Sequence, residues 1–132
     1  MKDSRSKREK VDSLIDQLWN SGYLTLSRKY GKYLPAPAPV GNYEVDAVAK
    51  YKKKIALGLA LTEDELNDPN LVNKLKYLAN SKTKFSTNKV TLFVGVPSAS
   101  LLKAHMLLSS LDEETQSKIK IVSLPENVKK QE

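Results

Sequence analysis

Apolar residues change their spacing several times along the chain, and each change predicts a new element of secondary structure. Val11, Leu14, Ile15, Leu18 and Trp19 recur at helical spacing, which predicts a first helix that starts near residue 5 with these side chains in the core. Five other runs have the composition or the alternation of strands, and two more have helical spacing. The strands are predicted at residues 23–27, 42–49, 55–61, 89–96 and 118–124, and the helices at residues 71–81 and 98–110.

Capping and turn residues mark the ends of these elements. Thr62 and Glu65 have the spacing of a capping box. Asp68, which precedes a proline, is predicted to cap the second long helix, and Ser98 is predicted to cap the third. Residues 28–40 contain an alternation of proline and alanine, which predicts an exposed and stiff connection.

The order of the elements defines the fold class, because helices and strands follow one another as α-β-β-β-α-β-α-β. A basic turn at residues 50–54 joins the second and third strands as a hairpin, and the apolar third strand is expected to be buried on both faces. The later strands are connected through helices, which requires parallel neighbours. The sequence therefore predicts one α/β domain over residues 1–132, with a central mixed sheet flanked by helices. Loose tails are predicted at residues 1–5 and 125–132.

The composition excludes several classes of site and indicates an anionic partner. The chain of 132 residues has no cysteine and a single histidine, His105, which excludes disulfides and metal sites built from thiolates or several histidines. Its 22 basic and 15 acidic residues give a net charge of +7, which is typical of proteins that bind nucleic acid or a lipid surface. The apolar runs are shorter than the roughly 20 residues of a membrane helix. With no apolar segment typical of a signal peptide, a cytoplasmic protein is expected.

Three basic clusters are candidates for contacts with nucleic acid. The first alternates with Tyr30 and Tyr33, an arrangement that suits stacking on unpaired bases beside phosphate contacts. The second is the hairpin turn, and the third follows the second long helix. Each cluster also fits a solvated surface that keeps the protein in solution, so both interpretations stay open. The basic residues concerned are Arg28, Lys29, Lys32, Lys52, Lys53, Lys54, Lys82 and Lys84.

The element order and a short acidic motif resemble the PD-(D/E)-x-K superfamily of nucleases, and within it the small archaeal Holliday-junction resolvases. The motif consists of Glu9 in the first helix and Asp46 in the run Glu44-Val45-Asp46, after a loop with proline and glycine. The resemblance implies a restriction-endonuclease-like fold over residues 5–124, DNA as the partner and a two-fold dimer. It also implies that Asp46 and Glu9 bind magnesium or manganese, which would polarise a phosphate and lower the pKa of bound water.

The third strand departs from the pattern of this superfamily. Its members carry Glu-x-Lys there, but the best register puts Gly58 and Ala60 at those two positions. Neither side chain can bind a metal or stabilise an oxyanion, and Asp46 and Glu9 alone are too few ligands for a tight site. The chain is therefore interpreted as a nuclease fold without nuclease chemistry, which needs no cofactor.

Three functions follow from these observations as alternatives. The first is a DNA-binding protein without catalysis. The second is a magnesium- or manganese-dependent endonuclease with a displaced site, which uses Asp46, Glu44 or Glu63 and a lysine of the turn, Lys53 or Lys54. Asp64 and Glu65, beside Glu63 just beyond the third strand, are further carboxylates that could move into such a site. The third is a structural or protein-interaction module whose basic face contacts an acidic partner. A homodimer through the third strand or the last helix is also expected. No small-molecule substrate is indicated, because phosphate-loop, zinc and nucleophile-elbow motifs are missing from the sequence.

Overall fold

The computed structural model describes residues 4–81 and 90–124, with side chains from residue 7 onward. Within these residues, five strands form one sheet in the order β1-β2-β3-β4-β5. β1, β2 and β3 are antiparallel neighbours, whereas β3, β4 and β5 are parallel. The α/β class and the mixed sheet predicted from the sequence are confirmed. The strands are β1 Leu24–Arg28, β2 Ala47–Tyr51, β3 Lys54–Ala60, β4 Val90–Pro97 and β5 Ile119–Leu124.

Helices cover both faces of this sheet. α1 packs on one face and crosses β3, while α3 and α4 pack on the other face against β4 and β5. No helix among the described residues is long and apolar enough to cross a membrane. The helices are α1 Ser4–Asn20, α2 Glu63–Leu66, α3 Leu71–Ala79, α4 Leu101–Leu108 and α5 Glu113–Gln116, and a 3-10 turn at Ser98–Ser100 precedes α4.

Two hydrophobic cores result from this arrangement, one on each face of the sheet. The larger core lies under α3 and α4 and contains leucines and valines of β3 and β4. The smaller core lies under α1, where the strands contribute mainly alanines. Gly58 belongs to this second face, and a Cβ at this position would lie 2.9 Å from the side chain of Leu14. The absence of a side chain at Gly58 therefore lets α1 pack close to β3.

The hairpin and the buried third strand agree with the sequence prediction, but β2 begins later than predicted. Its first residue is Ala47, so Glu44 and Asp46 precede the strand. Val40 and Tyr43 exchange backbone hydrogen bonds of 2.8 and 3.1 Å, which closes a tight turn in the segment predicted to start the strand. The carboxylates of Glu44 and Asp46 therefore do not alternate along a regular strand.

Two helix caps also differ from the prediction. Asp68 does not cap α3, because its Oδ1 accepts a hydrogen bond of 2.9 Å from the N–H of Asn70 in a turn before the helix. The hydroxyl oxygen of Ser98 lies 2.6 Å from that of Ser123 on β5 instead of capping a helix. The capping box of Thr62 and Glu65 is present as predicted.

Trp19 is the clearest error in the predicted core. It is 65% exposed, because it lies at the flank of the apolar stripe of α1. Residues 4 and 5 of the predicted N-terminal tail belong to α1, while residues 1–3 and 125–132 lie outside the described residues.

Candidate functional site

Asp46 is a buried carboxylate at the end of the sheet where the parallel strands finish. It is 4% exposed, and its backbone N–H donates to the carbonyl of Gly58 at 2.8 Å. The N–H of Ala60, the last residue of β3, donates to Asp46 Oδ2 at 2.8 Å. These two bonds join the segment before β2 to the end of β3 and fix the carboxylate in place.

The ammonium group of Lys7 fills the space between this carboxylate and α2. Lys7 Nζ lies 3.3 Å from Asp46 Oδ2 and 3.0 Å from Glu65 Oε1, and it also donates to the carbonyl oxygen of Ala60. The side chain is 15% exposed. Two carboxylates and a carbonyl are the oxygen ligands that hard cations prefer, and here the cation is a lysine of the same chain.

Lys29 and Glu44 extend this arrangement toward solvent. Lys29 Nζ lies 2.7 Å from Glu44 Oε1 and 3.6 Å from Asp46 Oδ1. Burial lowers the pKa of Lys29, but the hydrogen bond to Glu44 and the charge of Asp46 outweigh it, so the pKa is raised above its ordinary value. The hydrogen bond from Lys29 and the positive charge of Lys29 lower the pKa of Glu44. We call Lys7, Lys29, Glu44, Asp46 and Glu65 the carboxylate–lysine cluster.

Glu65 enters the cluster through the capping box of α2. Its carboxylate accepts a hydrogen bond of 2.9 Å from the N–H of Thr62, while the Thr62 hydroxyl accepts one from the N–H of Glu65 at 3.2 Å. Burial raises the pKa of Glu65, but the hydrogen bonds from Thr62 and Lys7 outweigh it, so the pKa is lowered. The cap of a short helix therefore also holds a charge against Lys7.

The residues that the superfamily resemblance picked out are distributed around this cluster. The resemblance implied that Glu9 of the first helix lies beside Asp46 as a metal ligand. In the structure, the residue of α1 that contacts Asp46 is Lys7. Gly58 contributes its carbonyl, and Ala60 contributes its N–H and its carbonyl, so these positions act through the backbone. Among residues 4–81 and 90–124, no three histidine, cysteine, aspartate or glutamate side chains form a group that could hold a metal ion.

The residues of the displaced-site hypothesis are also separated by the fold. Glu63 is exposed in the first turn of α2, while Glu65, two residues further on, bonds Lys7. Lys53 and Lys54 cannot supply an ammonium group to Asp46, because they lie at the opposite end of β3. The five residues of β2 put about 15 Å between the two ends of the hairpin.

The basic residues predicted to bind nucleic acid do not form one surface. Arg28 forms an ion pair with Asp12 of α1, and Lys29 belongs to the carboxylate–lysine cluster. Lys32 and Tyr33 are exposed in the following loop, Tyr33 by 95%. This first cluster therefore lies at the same end of the sheet as Asp46, and two of its three cations are bonded to carboxylates.

The hairpin turn presents its lysines at the other end of the sheet. Tyr51 pairs with Lys54, so the turn between β2 and β3 consists of Lys52 and Lys53. These lysines and Lys50 are all exposed. We call Lys50, Lys52, Lys53 and Lys54 the hairpin lysines. Lys82 and Lys84, the third predicted basic cluster, lie outside the described residues.

Lys7, Tyr51 and Lys120 are the residues that sequence reasoning missed. For Lys7 a signal existed, because it precedes Val11 by four residues and so continues the buried stripe of α1. A lysine on such a stripe requires a buried partner. Glu65 was predicted as a capping residue and as one of the carboxylates near a displaced site, but only the fold brings it to Lys7.

Of the two predicted dimer surfaces, the third strand is buried and the last long helix is exposed. β3 lies between β2 and β4, and its residues from Ile55 to Ala60 are buried within the chain, so the third strand cannot form the dimer contact. The last long helix stays available, because Leu102 and Met106 of α4 are 73% and 65% exposed. His105 lies on the surface of the same helix.

Comparison with known proteins identified no relative of this chain. The chain matches no protein-family model, no curated protein and no solved structure.

Proposed function

We propose that the chain is a DNA-binding protein with a restriction-endonuclease-like fold that does not cleave DNA. The order and directions of the strands support the fold assignment. A first helix, an antiparallel meander of three strands and two parallel strands reached through helices follow the topology that the resemblance implies. The position of Asp46, beside the end of β3, agrees with that resemblance.

The exposed positive charge at the hairpin end is the observation that carries the proposal of DNA binding. No carboxylate of the described residues forms an ion pair with Lys50, Lys52 or Lys54. Further along the face of the sheet that carries Lys54, level with Gly58 of β3, Lys120 is exposed and also forms none of these ion pairs, and its ammonium lies 5.8 Å from the ring centroid of Phe93. Lysines of this kind can neutralise phosphates and release the counterions that surround DNA, which is the main source of affinity in such complexes.

The carboxylate–lysine cluster supports the absence of cleavage. Lys7 holds a positive charge where the oxygen atoms of Asp46, Glu65 and Ala60 converge. A divalent ion at this point would have to displace the ammonium group, which is fixed to α1. Gly58 and Ala60 supply no side-chain ligand that would compensate for this competition.

The same convergence is the observation that favours the second candidate, a metal-dependent endonuclease. If the Lys7 side chain turned away, Asp46, Glu65 and the Ala60 carbonyl would offer hard ligands to magnesium or manganese. This candidate requires cleavage that depends on Asp46, which distinguishes it from the proposed function.

Fluorescence anisotropy with labelled single-stranded, duplex and four-way-junction DNA tests the proposal. The protein is titrated in EDTA at two salt concentrations, and manganese is then added to the same samples. We expect a dissociation constant below about 0.1 mM at physiological salt that weakens as salt increases, with the DNA intact after manganese is added.

Two results would contradict this proposal in different ways. Cleavage by the wild type that is lost in Asp46→Ala would establish the endonuclease instead. Binding weaker than about 0.1 mM and indifferent to DNA structure would exclude DNA as the partner, and would leave a module that contacts an acidic protein.

A further inference from the structure

Tyr51, the last residue of β2, presents part of its ring at the hairpin end of the sheet. It continues the face of Ala47 and Ala49, which pack under α1, but it lies beyond the end of that helix. The ring centroid is 5.9 Å from that of Tyr23, and a Cβ at Gly22 would lie 3.6 Å from the ring. One side of the ring is therefore supported by neighbours, while the residue is 40% exposed.

Cations surround this ring. The ammonium group of Lys52 lies 5.4 Å from its centroid. Lys54 is the cross-strand partner of Tyr51, so the two side chains lie on the same face of the sheet. Lys120 is paired with Phe93 in β4 and lies on the same face, but it is level with Gly58 of β3, four residues along the strand from Lys54 and away from the Tyr51 ring. We call Tyr51, Lys52, Lys54 and Lys120 the stacking surface.

The backbone at Lys52 has a conformation that favours glycine. Its φ angle is 55°, in the left-handed region, which costs a lysine about 1 kcal/mol. The turn nevertheless carries a charged side chain, placed over the ring of Tyr51. A two-residue hairpin turn requires a positive φ at its first central residue, so the turn itself accounts for this conformation.

We propose that the stacking surface binds single-stranded nucleic acid. An unpaired base would stack on the Tyr51 ring in place of the Lys52 ammonium group, while Lys52 and Lys54 would neutralise the adjacent phosphates. Lys120 would contact a phosphate further along the nucleic-acid strand, on the same face of the sheet. Every base has a π-face, so this mode of binding tolerates any sequence. Bases in a duplex are already stacked and cannot reach the ring. The inference rests on the proposed DNA binding and adds a preference for single strands.

The test compares Tyr51→Leu with Tyr51→Phe and Tyr33→Leu. Tyr51→Phe keeps the aromatic ring, and Tyr33→Leu removes an exposed ring from the opposite end of the sheet. Each variant is titrated with an oligothymidylate of about 16 nucleotides, the upper range for one binding site of this kind, and with a duplex of equal length. Circular dichroism establishes that each variant is folded.

We expect Tyr51→Leu to weaken single-strand binding about fivefold or more, the lower end of the effect measured for one stacked base. Duplex binding should change less than about twofold, since no base is expected to stack there. Tyr51→Phe and Tyr33→Leu should bind as the wild type does. Trp19, the single tryptophan of the chain, lies in the turn of α1 that leads to Gly22, so its fluorescence should be quenched when the oligonucleotide binds.

The possible failures are distinguishable. Three results would overturn the stacking surface while leaving DNA binding intact. They are an equal loss of affinity for single strand and duplex in Tyr51→Leu, a loss of affinity in Tyr33→Leu, and unchanged Trp19 fluorescence at saturation. If Tyr51→Leu is unfolded, a fivefold loss in Tyr51→Phe would overturn the proposal, and wild-type binding with quenching of Trp19 would support it. Absence of salt-dependent binding to any DNA would overturn the proposed function itself.

Discussion

The two ends of the sheet are both rich in lysine, but the lysines differ in whether they are bonded to carboxylates. At the end where β3, β4 and β5 finish, Lys7 and Lys29 are bonded to Glu44, Asp46 and Glu65. At the hairpin end, no carboxylate of the described residues forms an ion pair with Lys50, Lys52 or Lys54. The first group stabilises the fold, and the proposed function assigns the second to the contact with DNA.

The difference arises from what the fold brings to each end. The carboxyl ends of the parallel strands are also where α1 and α2 begin, so Lys7 and Glu65 meet Asp46 there although they are far apart in sequence. At the β2–β3 turn, Lys52 forms no ion pair with a carboxylate of the described residues. Local charge density in the sequence therefore does not distinguish a lysine that bonds carboxylates from one outside such pairs.

The largest effect should come from replacing Asp46. Asp46→Ala leaves the buried N–H of Ala60 without its acceptor and removes a carboxylate from Lys7, which should lower the free energy of unfolding by about 3 kcal/mol. Asp46→Asn keeps an oxygen that can accept the hydrogen bond from Ala60, so its loss should be smaller. Urea unfolding at pH 7 measures both.

Equal losses in the two variants would mean that the charge of Asp46, not its hydrogen bond, holds the end of β3. A loss below about 0.5 kcal/mol in Asp46→Ala, the range of ordinary surface substitutions, would contradict the structural role of this end of the sheet.

Replacing Glu65 should have a smaller effect on stability, and this effect should depend on pH. Because its pKa is lowered in the folded state from an ordinary value of 4.5, the carboxylate stabilises the fold above that pH, and this stabilisation is lost as the pH falls through the lowered value. Glu65→Gln preserves the capping box but removes the charge. Since the side chain is 46% exposed, we expect Glu65→Gln to lower the free energy of unfolding at neutral pH by about 0.5 kcal/mol.

Urea unfolding of wild type and Glu65→Gln at neutral pH and well below pH 4.5 measures this difference. The variant should lose less stability on acidification than the wild type does. Identical acid dependence would show that Lys7 gains nothing from Glu65, and the cluster would then reduce to Asp46 and its neighbours.

The sequence was sufficient for the element order but not for the contacts between ends of elements. Period and alternation predicted five strands and three long helices, because each depends on neighbours close in sequence. They placed the start of β2 too early and did not predict the short helices α2 and α5. Trp19 was placed in the core because helical spacing does not distinguish the flank of an apolar stripe from its centre. Asp46 was recognised through the superfamily resemblance, but Lys7 opposite it depends on how α1 crosses β3.

The same limit applies to the basic clusters. Arg28, Lys29 and Lys32 are adjacent to aromatic residues in the sequence, which favoured a nucleic-acid contact. Only the fold brings Asp12 to Arg28 and Asp46 to Lys29. Conversely, Lys120 lies far from the hairpin in sequence, and the sheet places it on the same face as Lys54.

The salt dependence of DNA binding tests most directly the claim that the two groups of lysines differ in role. Lys52, Lys53 and Lys54 are replaced together by alanine. The control replaces Lys74, Lys76 and Lys103 by alanine, which lowers the net charge by the same amount. Lys74 lies near Glu44, Lys76 near Asp112, and Lys103 donates to Asn67.

Dissociation constants for a duplex are measured over a range of salt concentrations. Each phosphate contact contributes about 0.9 to the slope of log affinity against log salt, so the hairpin variant should lower the magnitude of this slope by about 2 to 3, while the control should change it by less than about 1. Equal decreases in the two variants would contradict the account, because DNA would then respond to net charge alone and not to the hairpin end of the sheet.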